Sequence, residues 1–203
     1  MRITKPSLLL MFSGGLDSLA ALHLLLTTQS EPVHVHHVHL HNVEGRTEAE
    51  RTAVDKVRRY YAETGMPLDY SESNVQYPSV NGQFFYDTDV TRFMGGYIAS
   101  RAPILGVAYG RTADDVADSS LVERTRTGNE IFKVLTDVPM LFPVMHMTKQ
   151  ECYDFLPAEL RELAWSCRRP VYVREENFTP DDATPCGKCK TCKAMKGIIR
   201  GAP

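Results

Sequence analysis

The stretch SLLLMFSGGLDSLAALHLLL, residues 7–26, decides the fold. Its first half is an apolar run of strand length, Leu8–Phe12. Two glycines interrupt it, and an amphipathic helical pattern begins at once over residues 16–28. A strand that turns straight into a helix at a glycine pair leaves a gap. Backbone amides and the positive end of a helix dipole converge there, and such a gap suits an anion.

The same alternation continues along the chain. Apolar runs at Val33–Leu40, Pro67–Tyr70, Ile104–Tyr109 and Met140–Val144 read as further strands, with helical patterns at 47–64, 88–101 and 113–124 between them. Gly65 with Pro67 closes the helix over 47–64, and two capping boxes, Thr47 with Glu50 and Thr148 with Glu151, mark helix starts. Strands and helices in alternation imply right-handed crossovers. The expected fold is therefore α/β, a doubly wound parallel sheet of about five strands that binds ligands at the carboxyl ends of its strands. Near residue 165 the composition turns polar and cysteine-rich. We expect an α/β nucleotide-binding domain over residues 1–165 and a small module over 166–203.

With 203 residues, 43% of them apolar and 24% charged, the chain suits one ordinary globular core. A net charge of −2 provides no basic excess for nucleic acid or an anionic membrane. The opening MRITKPSLLLMF is positive and then apolar, but the run is too short for a signal segment and ends without a small-residue cleavage site. No segment approaches the roughly 20 apolar residues of a membrane span. These features read as a cytoplasmic protein.

FSGGLDS is neither a Walker A loop nor a dinucleotide fingerprint, yet it sits where those loops sit. Ser13, Gly14, Gly15 and Leu16 let backbone amides converge on phosphate, and Ser18 adds a hydroxyl near the helix start. Asp17 is placed to hold Mg²⁺, which favours one or two carboxylates together with phosphate oxygens. The bland alternative is a glycine turn with a serine cap. The whole S-G-G-x-D-S pattern after a first strand favours phosphate.

Four of the five cysteines lie late in the chain: Cys167, then Cys186, Cys189 and Cys192 in CGKCKTC. Two overlapping C-x-x-C knuckles plus one distant cysteine fit a closed, tetrahedral zinc–thiolate site. An iron–sulfur cluster is the competitor. Cys152, in TKQECYDF, reads as a core thiol on a helix. In VHVHHVHLHN, His37, His39 and His41 share one strand face and His34 and His36 the other. They form either a second metal site or a strand whose end, near His39 to Asn42, borders a nucleotide's adenine. RTRTGNEIFK, residues 124–133, reads as a solvated loop.

SGGLDS is similar to the pyrophosphate loop of the N-type ATP pyrophosphatases, which cleave ATP between the α and β phosphates and transfer AMP to a substrate oxygen. Together with Ser166–Cys167 and the later CGKCKTC, it resembles the 7-cyano-7-deazaguanine synthases in particular. Chains of that family end with a serine-cysteine followed by C-G-x-C-x-x-C. ILGVAYGRTADD resembles their fourth strand and substrate loop, and FPVMHMTKQE the segment in which a lysine opens a late helix. The resemblance covers nearly the whole chain. It implies an adenine nucleotide alpha hydrolase-like fold, with ATP, Mg²⁺ and Zn²⁺ as cofactors and a homodimer as the assembly. It also implies adenylation of 7-carboxy-7-deazaguanine and attack by ammonia, giving 7-cyano-7-deazaguanine, AMP and pyrophosphate.

Carried over by residue, the resemblance puts the Ser13–Ser18 loop on pyrophosphate, Asp17 on Mg²⁺, and Cys167, Cys186, Cys189 and Cys192 on zinc. Lys149 or Arg111 falls on phosphates or the substrate carboxylate. Asp114 and Asp115 either read an amino-bearing, purine-like ring or cap the helix after GRT. Two substrate-side segments of the family are replaced. FFYDTDVTRFMGG stands where the family has valine-proline-x-arginine-asparagine, and RTADDVADSSLVERTR where it has tyrosine-proline-aspartate-cysteine-arginine. A tRNA-modifying enzyme of the thiolation type, or a variant that stops at 7-amido-7-deazaguanine, are the alternatives. The low net charge and the lack of a basic, aromatic-interleaved stretch argue against RNA.

Overall fold

The computed structural model describes residues 2–81, 86–172 and 183–201. Phe84 and Phe85 of FFYDTDVTRFMGG, and residues 173–182, 202 and 203 of the expected C-terminal module, lie outside the described residues. Five strands form one parallel sheet: β1 (Ser7–Met11), β2 (Val33–His41), β3 (Asp69–Gln76), β4 (Ile104–Tyr109) and β5 (Met140–Leu141), in the order β3-β2-β1-β4-β5. Helices α1 (Leu16–Thr28) and α2 (Thr47–Glu63) follow the first two strands. Then come α3 (Asp87–Ala99), α4 (Ala113–Ala117), α5 (Ser119–Leu135), α6 (Lys149–Phe155) and α7 (Ala158–Leu163). A short antiparallel pair, β6 (Val171–Tyr172) and β7 (Ala183–Thr184), precedes α8 (Lys190–Gly201).

β1 explains the layers, because alternate side chains of one buried strand enter two cores. Leu8, Leu10 and Phe12 pack with Leu19 and Leu22 of α1 and with Val54 and Tyr61 of α2. Leu9 and Met11 pack on the other face with Ile98 of α3 and Phe132 of α5. Leu156, Leu160 and Ile198 join the first core, so α6, α7 and α8 lie on that side. The strand order reverses between β1 and β4. That reversal opens a crevice at their carboxyl ends, where doubly wound sheets bind ligands.

The elements depart from expectation in instructive places. β3 runs to Gln76, well beyond 67–70, and β5 stops at Leu141 rather than Val144. The helix expected over 113–124 breaks at Asp118 into α4 and α5. RTRTGNEIFK is not a loop: it lies within α5, where Phe132 is buried. Gly128 does not break this helix. It lets α5 approach α3, since a Cβ there would lie 2.6 Å from Arg92 Nη1. Thr47 is not a cap either. Arg46 occupies the cap position, Thr47 Oγ1 donates to the Leu40 carbonyl at 2.7 Å, and Glu50 turns to Arg46 instead. The Thr148–Glu151 box is present, and a second one joins Thr112 to Asp115. Gly65, at φ +81°, ends α2 in the left-handed conformation that glycine favours. No helix among the described residues is long and apolar enough to cross a membrane.

The histidines of β2 bond across to β3. His34 Nε2 and His36 Nδ1 each lie 2.7 Å from Ser71 Oγ, and His36 Nε2 lies 3.0 Å from Ser73 Oγ. His39 meets Glu72 at 3.2 Å and His41 meets Asn74 at 2.9 Å, while His37 Nδ1 donates to the Phe12 carbonyl at 2.8 Å. Among the described residues no histidine joins a metal-binding group, so they follow the strand reading and not that of a second metal site. Burial pushes both His36 and His37 down to about 4. Both rings are therefore neutral when folded and titrate near 6.5 when unfolded. Between these values the unfolded chain binds the extra protons, so stability falls as the pH drops from about 6.5 to 4. His37→Gln removes one of those protons. Its stability loss between pH 6 and pH 5, read from urea midpoints, is expected to be smaller than the parent's by about 1 kcal/mol.

Candidate active-site cleft

β1 delivers the chain to the crevice at Phe12. Gly14 then turns with φ +77°, where a Cβ would press on Val54 Cγ2 at 3.3 Å. Gly15 caps α1 and has no side chain to bond its first turn, which leaves the amides and the positive helix end facing the cleft. Ser18 Oγ donates to the Gly15 carbonyl at 3.0 Å and accepts from the Ser13 amide at 3.3 Å, so the loop is pinned by its own hydroxyl. Across the crevice Tyr109 pairs with Met11, and Gly110 backs directly onto the loop. A Cβ at Gly110 would lie 2.5 Å from Ser18 N, an approach that only glycine permits.

The Thr148 cap starts α6 so that Lys149 reaches the loop. Its Nζ lies 2.6 Å from Asp17 Oδ2, across 132 residues of sequence, and 3.2 Å from Asp115 Oδ1. The Lys149 amide donates to Asp114 Oδ2 at 2.6 Å. Asp115 thus both caps α4 through Thr112 and holds Lys149, while Asp114 seats the start of α6. Burial pushes the Asp17 carboxyl above the usual carboxylate range although Lys149 pulls it down, and Asp115 and Asp114 add to the rise. Burial would lower the Lys149 ammonium, but Asp17 and Asp115 outweigh it and keep its pKa above that of an ordinary lysine. Two carboxylates share one ammonium and a third, Asp114, lies on the Lys149 amide, a surplus of negative charge that suits a divalent cation.

Loop and lysine form one end of a cleft of about 420 Å³, within the range of small-molecule sites. Tyr109, Arg111 and Phe142 also line it, with the Arg111 guanidinium 6.0 Å above the Phe142 ring. Arg92 lies there too. An arginine in an amphipathic helix reads as solvated, yet this one is only 5% exposed. The side wall is an ion-pair network. Arg46 bonds Glu44 and Glu50, each at 3.3 Å, and Asp87; Arg168 bonds Glu44 at 3.0 Å and Asp87 at 2.9 Å. Burial pushes Glu50 up to about 7 against the pull of Arg46. A larger depression of about 950 Å³ lies beside His41, Tyr77 and Tyr172. Its lining among the described residues has Glu48 but no lysine or arginine and no glycine pair at a helix start, so the smaller cleft is the candidate site.

The four late cysteines converge as their spacing implies. Their sulfurs all lie within 4.8 Å of one another, the one such group of ligands among the described residues. Cys186 and Cys192 are 4.0 Å apart, close to the ~3.8 Å that Zn–S bonds of ~2.3 Å impose on a tetrahedron. Amides of Lys188 and Cys189 donate to Cys186 Sγ at 3.5 and 3.4 Å, and those of Cys186 and Arg169 to Cys167 Sγ at 3.3 and 3.4 Å. These bonds favour thiolates, and the amides of Lys188 and Cys189 hold the Cys186 thiol below its usual value. The adjoining Trp165 amide donates to the Gly14 carbonyl at 2.9 Å, tying this region to the loop. Cys152 is fully buried in α6, a core thiol as expected.

No family model and no curated protein sequence matches the chain. A solved structure does. The U34-tRNA thiolase NcsA from Methanococcus maripaludis, with its 4Fe-4S cluster, has a TM-score of 0.53 and 14% sequence identity over 99% of this chain and 68% of that chain. At this identity the likeness is one of fold.

Proposed function

We propose that the protein is an ATP-consuming adenylating enzyme of the N-type pyrophosphatase kind and, more narrowly, that it converts 7-carboxy-7-deazaguanine to 7-cyano-7-deazaguanine. The observation that carries this reading is the meeting of the Ser13–Ser18 loop with Lys149, Asp17 and Asp115 at the point where the strand order reverses. Loop amides and the α1 dipole would hold the departing pyrophosphate, with Lys149 facing the bond that breaks. Asp17, with Asp115 beside it, fits Mg²⁺, whose charge would offset that of the leaving group. The narrower assignment draws on the order Ser166–Cys167, Cys186, Cys189, Cys192 and on the sulfur spacing.

The chemistry needs activation twice. The acid's carboxylate oxygen attacks the α phosphorus of ATP and expels pyrophosphate. Ammonia then attacks the acyl carbon, and AMP leaves with the oxygen, giving an amide. For the nitrile, the amide oxygen must in turn be adenylated and depart as AMP, with loss of the nitrogen's protons. The cleft residues position these partners and stabilise charge. The four thiolates fit one Zn²⁺, which would hold Cys167 to the start of α8.

A second reading, sulfur transfer to a tRNA base, is favoured by the fold shared with the thiolase and by cysteines that could serve a cluster. Incubation with ATP, Mg²⁺, ammonium and 7-carboxy-7-deazaguanine separates the two. The synthase should give AMP, pyrophosphate and the nitrile, identified by mass, with two AMP formed per product because two oxygens depart. Accumulation of the amide with one AMP marks an enzyme that stops early. AMP release stimulated by tRNA but not by the acid replaces this reading with sulfur transfer.

A further inference from the structure

The mechanism leaves one buried cation of the cleft unused. Arg46 is met by three carboxylates, but Arg92 Nε has no hydrogen-bond partner among the described residues, although the side chain is only 5% exposed. Its guanidinium lies 5.7 Å from the centre of the Tyr109 ring, and Tyr109 Oη, also buried, has no hydrogen-bond partner either. Burial pushes the Arg92 guanidinium below its usual value and the like charge of Arg111 adds to the push, while Tyr109 and the Asp89 carboxylate oppose it without reversing it. Donors left unmet in a buried site are costly, and two guanidiniums facing one end of a cleft cost more. An anion would relieve both. Glycine at 128 keeps the space open, since a Cβ there would lie 2.6 Å from Arg92 Nη1 and 2.8 Å from Cδ. Phe142 and Tyr109, with ring centres 6.3 Å apart, line the same end with aromatic surface.

We propose that Arg92, Tyr109 and Arg111 form an anion subsite that takes the carboxylate of a planar aromatic acceptor, apart from the loop that takes the nucleotide's phosphates. A guanidinium fork matches the two oxygens of a carboxylate, and the neighbouring rings offer flat walls to the ring that bears it. The phosphates already have a separate receptor in the loop, the α1 dipole and Lys149. This subsite rests on the adenylating reading and names the residues that would hold its acid acceptor.

The test uses the whole chain loaded with Mg²⁺ and the non-hydrolysable α,β-methylene analogue of ATP, so that the loop is filled. Benzoate and 7-carboxy-7-deazaguanine are each titrated by calorimetry, with neutral benzamide as control. Arg92→Leu should raise the Kd of both acids about tenfold or more while changing that of the nucleotide analogue less than about twofold. Gly128→Ala keeps every charge, but its Cβ pushes the guanidinium aside, and it should weaken both acids several-fold. It therefore carries the test if Arg92→Leu does not fold. Benzoate binding that depends on Arg92, without binding of the deazaguanine acid, supports the subsite and removes the ring assignment. The subsite is overturned if the loaded protein binds neither acid, if it binds benzamide as well as benzoate, or if Arg92→Leu weakens the nucleotide and spares the acids.

Discussion

Asp17→Asn is expected to lower AMP and pyrophosphate formation about 10³-fold and to leave the melting temperature within a few degrees of the parent. Asparagine keeps the shape of the side chain and removes its charge. The fold should tolerate this because the lost ion pair with Lys149 is offset by the desolvation that the half-buried carboxylate no longer suffers. Lys149 retains Asp115 at 3.2 Å, so α6 stays seated. Catalysis should not tolerate it. One preorganised electrostatic group aimed at a departing charge is typically worth a factor of 10² to 10³. Asp17 in addition holds the cation that meets pyrophosphate. High Mg²⁺ should restore part of the loss if the carboxylate acts through metal affinity. AMP release equal to the parent's at ordinary Mg²⁺ would overturn the role given to the loop.

What could be read from the sequence follows from which residues announce themselves. SGGLDS did so because a glycine pair between an apolar run and a helical period has few uses, and β1, α1 and the loop lie where it puts them. β3 was found only in part. DYSESNVQ is a polar edge strand whose serines, glutamate and asparagine answer the histidines of β2, and an apolar pattern cannot reveal a strand held by such bonds. α5 was hidden by Thr127-Gly128-Asn129, which locally favours a turn. Packing of Phe132 and the fit of Gly128 against Arg92 override that preference. The sequence offers the lysine and the three aspartates as separate candidates, but only the fold shows that one ammonium serves Asp17 and Asp115 while Asp114 takes the Lys149 amide. Arg92 left no signal, because its burial depends on α5 closing over it.

Cys189→Ser should cause the largest structural change. Structural zinc in thiolate knuckles contributes an apparent ~10–16 kcal/mol to local folding at neutral pH, comparable with the whole stability of a typical domain. The two-residue strands β6 and β7 bury little, so removal of one thiolate should release the segment from Cys167 to α8 while the parallel sheet persists. The sole tryptophan reports the event: Trp165 Nε1 donates to the Cys167 carbonyl at 3.0 Å, so its fluorescence should shift in Cys189→Ser and in parent protein treated with a strong chelator. Elemental analysis of the parent should give about one zinc per chain and no iron. Activity should fall together with the metal although no thiolate lines the cleft. Arg168, next to Cys167, ties Glu44 to Asp87 in the cleft wall, and the Trp165 amide holds the Gly14 carbonyl of the loop. A metal that merely decorated the surface would leave AMP formation and tryptophan fluorescence unchanged when stripped. Iron with acid-labile sulfide in place of zinc would instead make the four thiolates the seat of a cluster and give precedence to sulfur transfer.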